Sequence, residues 1–291
     1  MTKNNLTKSE IERILSLVSG QSAEKRFVRQ KKLNLLQQLR YNFIVSKISR
    51  GIPLQYFEKT AAFYGNDFAV NKNVLVPRPE TETLVAVAIA ELENIAREKD
   101  NINVIDIGTG SGCIILSVYN FVKQKLNSDK FSKINFFATD LSKKALTVAK
   151  KNAQRQKANI KFLNCDLLEN VNLPKKFDLV IANLPYLKPD FTDQNKALAY
   201  EPAMALDGGK DGLEIIFRLL ESLKNRLAES GTAFLEIDPD QADMIKTKFA
   251  DWFKITRLKD LNGRVRFIKV IQNVKRKTYN YVSLCDDYID I

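Results

Sequence analysis

The chain has 291 residues, 45% of them hydrophobic and 27% charged, a balance that fits a globular protein with one sizeable core and a smaller domain. Its apolar runs are strand-sized and broken by polar residues, so none is long enough to cross a bilayer. Histidine is absent, which removes Ser-His and Cys-His triads, histidine zinc sites and histidine general bases; Cys113, Cys165 and Cys285 lack metal-ligand spacing, so no metal is expected. The net charge is +12, and residues 1–50 hold 11 basic residues against Glu10, Glu12 and Glu24. Such a segment suits either a nucleic-acid or ribosomal partner or a plain solvated surface. The opening MTKNNLTKSE has no signal-type apolar run, which leads us to expect a cytoplasmic protein.

In chain order, the first ~60 residues read as helices. Thr7-Lys8-Ser9-Glu10 has capping-box form, with Ile11, Ile14, Leu15 and Val18 at helical spacing and a stop at Gly20. A second stretch places Leu36, Leu39 and Phe43 on one face. Residues 63–76 alternate aromatic and β-branched residues around Gly65-Asn66 and Asn71–Asn73, predicting a β-hairpin between two domains. A helix is expected from Glu80 through Leu84, Val85, Val87 and Ala88.

From residue 103 the pattern alternates strand and helix. Strands are expected at 103–108, 134–140, 160–166, 177–183 and 231–238, and helices at 142–155 and 212–228. This predicts a mostly parallel sheet with helices on both faces. A closing hairpin is expected at 254–261 and 264–271, turning at Asn262-Gly263. The tail, 274–291, has no clear periodicity; its tyrosines interleave with Lys275, Arg276 and Lys277, but Asp286, Asp287 and Asp290 argue against nucleic acid there. Trp252, the only tryptophan, is expected in the core.

Six of the 11 glycines fall in two loops, Gly108, Gly110 and Gly112 and then Gly208, Gly209 and Gly212. The first loop, Asp106-Ile107-Gly108-Thr109-Gly110-Ser111-Gly112, follows a strand and precedes an apolar helix, where ligands sit in doubly wound sheets. Its Gly-x-Gly-x-Gly spacing is not that of dinucleotide binders, and no P-loop Gly-Lys-Ser/Thr follows. Asp140, ending the second strand, is placed to accept ribose hydroxyls, although Asp or Ser142 could equally cap the next helix. Asp166 and Leu167, ending the third, could flank a base; the fourth ends in Asn183-Leu184-Pro185-Tyr186.

The loop from Asp106 to Gly112, together with Asp140, resembles that of class I S-adenosylmethionine-dependent methyltransferases, and Asn183-Leu184-Pro185-Tyr186 resembles the Asn-Pro-Pro-Tyr motif of enzymes that methylate amide and exocyclic nitrogens. Two further stretches are similar to release factor glutamine methyltransferases: Gly51-Ile52-Pro53-Leu54-Gln55-Tyr56 with Val74–Glu82 (VLVPRPETE), and Glu201-Pro202 with Ala205–Gly209 and Asp211–Leu213. The likeness runs from about residue 47 to 271. It implies a Rossmann-like, seven-stranded, mostly parallel sheet at 79–273, a helical docking domain at 1–62 and a hairpin linker at 63–78.

The resemblance also implies an activity: methyl transfer from S-adenosylmethionine to the side-chain amide nitrogen of the glutamine in the Gly-Gly-Gln motif of peptide chain release factors. Gly108, Thr109, Gly110, Ser111, Gly112, Asp140, Asp166, Leu167 and Asn183 would bind the cofactor, and Asn183, Leu184, Pro185 and Tyr186 the acceptor. The Asn183 side-chain oxygen and the Leu184 carbonyl would accept the two amide hydrogens, with Tyr186 walling the amide plane; Asn183 and Tyr186 are the catalytic candidates. A monomer is implied, and neither membrane nor nucleic acid is an expected partner. Leu184 stands where the family has proline, which leaves open an inactive cofactor-binding module, and a DNA adenine-N6 methyltransferase is the other alternative.

Overall fold

The computed structural model describes residues 6–21, 32–170, 172–189 and 198–273; the tail at 274–291 lies outside them. Helix α1 (Lys8–Ser19) begins with the expected box, Thr7 and Glu10 each accepting from the other's backbone, and stops at Gly20. In α2 (Leu35–Ile48), Leu36, Leu39 and Phe43 share a face as expected, but it is the exposed one, 77%, 57% and 56% accessible. Ile44 is the buried residue of α2, and it meets Ile14 and Val18 of α1 and Leu54 of the short α3 (Leu54–Glu58).

The strands of the first hairpin are β1 (Thr60–Phe63) and β2 (Asn66–Ala69), earlier and shorter than the sequence pattern indicated. The turn is Tyr64-Gly65, with φ of 47° and 71°. Two left-handed residues make the two-residue turn that matches strand twist, so pairing must close there. The second turn signal is also real, Val74 N–H donating to Asn71 C=O, but no paired strand follows it. The hairpin is glued down: Phe63 and Phe68 enter the core under α4 (Glu82–Glu98), while Ala61, Val70, Val74 and Val76 meet Ala145 and Val148 of α7 (Lys143–Arg155).

Seven strands then form one sheet: β3 (Ile102–Ile107), β4 (Ile134–Asp140), β5 (Lys161–Asn164), β6 (Phe177–Ala182), β7 (Leu227–Glu236), β8 (Phe253–Lys259) and β9 (Val265–Gln272). The spatial order is β5-β4-β3-β6-β7-β9-β8, parallel except that β9 lies antiparallel between β7 and β8. Every residue of β6 is buried, as a strand covered on both faces requires. Alternation sorts them: Val104, Leu179 and Ile181 face α4 and α5 (Cys113–Lys125), whereas Ile105, Ile107 and Val180 face α8 (Glu214–Arg226) and α9 (Ala242–Phe249). A one-turn α6 (Ser128–Ser132) precedes β4. Trp252 is not core: it is 42% exposed, with the Lys224 ammonium 4.4 Å over its ring.

Chain order runs outward from β3 to β5 and then returns to β6 beside β3, so strand direction of travel reverses between β3 and β6. That switch point opens a crevice at the strands' carboxyl ends. Asn152 of α7 ties the hairpin to its rim. Its Oδ1 accepts from Ala69 N–H at 2.7 Å, and its Nδ2 donates to the carbonyls of Ala69 (3.0 Å) and Ser111 (2.9 Å). Asn152→Leu keeps the volume and strands three backbone groups, so we expect a loss of about 3 kcal/mol in urea unfolding with unchanged m value. A loss below ~1 kcal/mol would mean that those groups find other partners.

Candidate functional site

At the end of β3, Gly108 takes φ +71°, a backbone conformation that favours glycine, and a Cβ there would lie 2.9 Å from Leu184 Cδ2, so a side chain at 108 would push the leucine that meets it from the β6 loop. Beneath it, Thr109 Oγ1 donates to Asp106 Oδ2 at 2.6 Å. The other oxygen, Oδ1, has no partner among the described residues although Asp106 is fully buried. Burial pushes this carboxyl up to about 7, against the Thr109 hydrogen bond and assisted by the charge of Asp140.

Asp140 and Ser142 divide the two roles left open by the sequence. Ser142 caps α7, its hydroxyl accepting from Ala145 N–H. Asp140 Oδ2 accepts from Gly110 N–H (2.9 Å) and Oδ1 from Ser142 N–H (2.8 Å), so the carboxylate spans from one loop to the next. Burial raises its pKa, offset by those two N–H groups. At the third strand end, Asp166 pairs with Arg218 of α8 at 2.7 Å. Leu167 is held in left-handed backbone, φ 46°, with its carbonyl accepting from Thr139 Oγ1.

The loop after β6 is fixed from several sides. Leu184 is buried and joins the core cluster that contains Leu167, Leu168 and Leu213. The second glycine loop braces the next two residues. A Cβ on Gly208 would lie 2.7 Å from the Pro185 carbonyl oxygen, and one on Gly212 would collide with the Tyr186 carbonyl oxygen. Gln241 Nε2 then donates to both Tyr186 C=O (2.9 Å) and Gly212 C=O (3.0 Å). Those glycines therefore hold protein backbone. Tyr186, expected to wall an acceptor amide, does not line the cavity here. Its ring packs against the core and its hydroxyl donates to Glu236 Oε1 at 3.2 Å, as a buried phenol needs a partner.

Together these loops bound a cavity of about 350 Å³. Gly108, Thr109, Gly110, Ser111, Asp140, Asp166, Leu167, Asn183, Leu184 and Pro185 line it; Gly112 lies just behind, against Ala149 of α7. Sequence reasoning missed the opposite wall, Leu75, Pro77, Pro202 and Met204. Its signal was present in the Pro-Arg-Pro-Glu and Glu-Pro stretches. Buried Glu201 accepts from Val76 N–H at 2.9 Å and pairs with Arg78, clamping those two stretches together beside the cavity.

Asp140 and Asp166, two carboxylates in the cavity lining, suit ribose hydroxyls and a cationic centre, and apolar Leu141, Leu167 and Ile215 suit a flat base. The residues present therefore fit S-adenosylmethionine. Among the described residues no cluster of His, Cys, Asp and Glu could hold a metal, and no helix is long and apolar enough to cross a membrane.

A family model described as a methyltransferase domain matches residues 98–277. The release factor glutamine methyltransferase of Koribacter versatilis is 33% identical over 241 residues, 82% of this chain and 81% of that protein. Its namesake from Bacillus subtilis is 34% identical over 235 residues, 79% of this chain and 78% of that one. Among solved structures, a methyltransferase from Pyrococcus furiosus superposes with a TM-score of 0.51 at 18% identity, covering 79% of this chain and 98% of its own, which shows the shared fold. Fold, cavity and relatives agree: the chain belongs to the release factor glutamine methyltransferase family, and is an S-adenosylmethionine-dependent methyltransferase.

Proposed function

We propose that this chain methylates the side-chain amide nitrogen of the glutamine in the Gly-Gly-Gln motif of peptide chain release factors, acting in the cytoplasm. The observation that carries it is Asn183: an amide side chain at the end of β6, lining a cavity with the carboxylates that suit the cofactor. Bound S-adenosylmethionine supplies a sulfonium methyl group, an electrophile that needs only an aligned nucleophile. Gly108 and Gly110 give that ligand close backbone approach, Asp140 accepts ribose hydroxyls with lone pairs left over from Gly110 and Ser142, and Asp166 and Leu167 flank the base. Thr109 and Ser111 shape the same loop, and Gly112 starts the helix behind it.

An amide nitrogen is a weak nucleophile, because its lone pair is shared with the carbonyl. In this proposal Asn183 Oδ1 and the Leu184 carbonyl each accept one of its hydrogens, aim it and raise its electron density, and Pro185 and Tyr186 fix the loop. Orientation of this kind can supply roughly 7–11 kcal/mol of the barrier. No histidine base is needed, since the extra proton leaves to water after transfer. Leu184 does not argue for inactivity: its burial and its contact with Gly108 immobilise the loop where a proline ring would otherwise do so. The division of labour extends along the chain, with the helices of 1–62 docking the release factor, the hairpin linking, and 79–273 carrying the chemistry.

Labelled S-adenosylmethionine should mark an intact release factor, but neither a glutamine-substituted release factor nor duplex DNA. Label in DNA would favour the adenine reading, and cofactor binding without any label would favour an inactive module. Asn183→Ala should lower kcat by ~10²-fold or more while the cofactor Kd, read by calorimetry, moves less than about threefold. Leu184→Ala should lower kcat ~10-fold by loosening the loop; an unchanged kcat would refute the packing account.

A further inference from the structure

Glu236, the last residue of β7, is buried and carries two donated hydrogen bonds from other elements. Its Oε2 accepts from Thr81 Oγ1 at 2.8 Å, just ahead of α4, and its Oε1 accepts from the Tyr186 hydroxyl. Thr81 is itself buried, and its oxygen accepts from Asn183 Nδ2 at 3.3 Å. The order of donors in this chain is not interchangeable. An ionised carboxylate only accepts, so the single threonine hydrogen points at Glu236 and a lone pair is left facing Asn183. The asparagine must then present its nitrogen to Thr81, which turns Oδ1 the other way.

We propose that Glu236, acting through Thr81, is a positioning residue that fixes which way the Asn183 amide faces. The inference rests on the reading that Asn183 Oδ1 accepts a hydrogen of the acceptor amide. With the asparagine flipped, an NH2 group would face the acceptor's own NH2, donor against donor, and the nitrogen would be pushed off line.

Charge state matters to the relay. Burial raises the Glu236 pKa above the ordinary carboxylate range and Glu80 adds to it, while the hydrogen bonds from Thr81 and Tyr186 and the charge of Arg266 on β9 hold it down. Arg266 is in turn paired with Asp260 at 3.1 Å. A protonated Glu236 can donate to Thr81, which frees the threonine hydrogen to turn toward Asn183 and lets the amide flip. The ionised form is the orienting one, so kcat should fall as pH drops through this raised pKa.

The test compares Thr81→Val, Thr81→Ser, Glu236→Gln and the Val–Gln double variant in the full chain, using release factor and S-adenosylmethionine. Expected are a 10–100-fold fall in kcat for Thr81→Val and Glu236→Gln, KM values within about twofold, near-complete rescue in Thr81→Ser, and a double variant no worse than the poorer single. The acid limb of wild-type kcat should vanish in Glu236→Gln. A kcat unchanged in folded Glu236→Gln, or Thr81→Ser as damaged as Thr81→Val, would overturn the proposal. Should Glu236→Gln fail to fold, the Val–Ser pair decides alone. A second readout needs no turnover: the Asn183 side-chain NH2 resonance, assigned by its loss in Asn183→Asp, should shift in Thr81→Val and titrate with Glu236. An inactive wild type with that shift present would sink the functional reading only; active wild type with no shift would sink the relay only.

Discussion

The contact between Leu184 and Gly108 is the constraint from which the rest of the site follows. It joins the loop after β3 to the loop after β6 across the switch point, at a residue whose φ of +71° favours glycine. In the proposed function one loop carries the backbone that approaches the cofactor, the other the amide that aims the acceptor. Methyl transfer in line tolerates little misplacement, so the two must be fixed relative to each other. Burying a leucine at that junction, beside Leu167 and Leu213, couples both loops to the packed core.

The stiffening continues outward through groups that do not line the cavity. Gly208 and Gly212 let a second loop lie against Pro185 and Tyr186, and Gln241 bridges the two backbones. On the other side Glu201 clamps Val76 and Arg78, and Asn152 ties the hairpin to the glycine loop. Each uses a buried polar side chain to satisfy backbone groups from distant parts of the sequence. Such bonds add little net stability, but each is costly to leave half made, which keeps a site from relaxing.

The sheet was legible because parallel strands buried on both faces read as short apolar runs, and their expected ends fall within a few residues of the observed ones. The first glycine loop and Asp140 were legible because strand, turn and helix succeed each other there in order. Less was readable where the cause is distant. Nothing local to Leu36, Leu39 and Phe43 says that the helix turns its Ile44 face inward to α1. Trp252 read as core, yet it lies at the surface under a lysine. The second glycine loop stood out only by its composition, and Gly208 and Gly212 meet backbone 20 residues or more upstream. Tyr186 was placed in the right loop, but its hydroxyl partner on β7 could not be seen from a tetrapeptide.

A protein without histidine has few ways to help an amide nitrogen react, and the role proposed for Asn183 is one that costs no proton transfer. Asn183 contributes no charge, only a dipole, and a dipole helps or hinders according to its direction. An asparagine has nearly the same shape in both amide orientations, so packing alone would leave the choice open. Only a neighbour of fixed donor sense breaks that degeneracy. Thr81 by itself is ambiguous, because a hydroxyl can donate or accept; the buried carboxylate of Glu236 removes the ambiguity. In the proposed relay a charge one side chain away from the amide acts without taking a proton, by deciding which end of a neutral group meets the substrate.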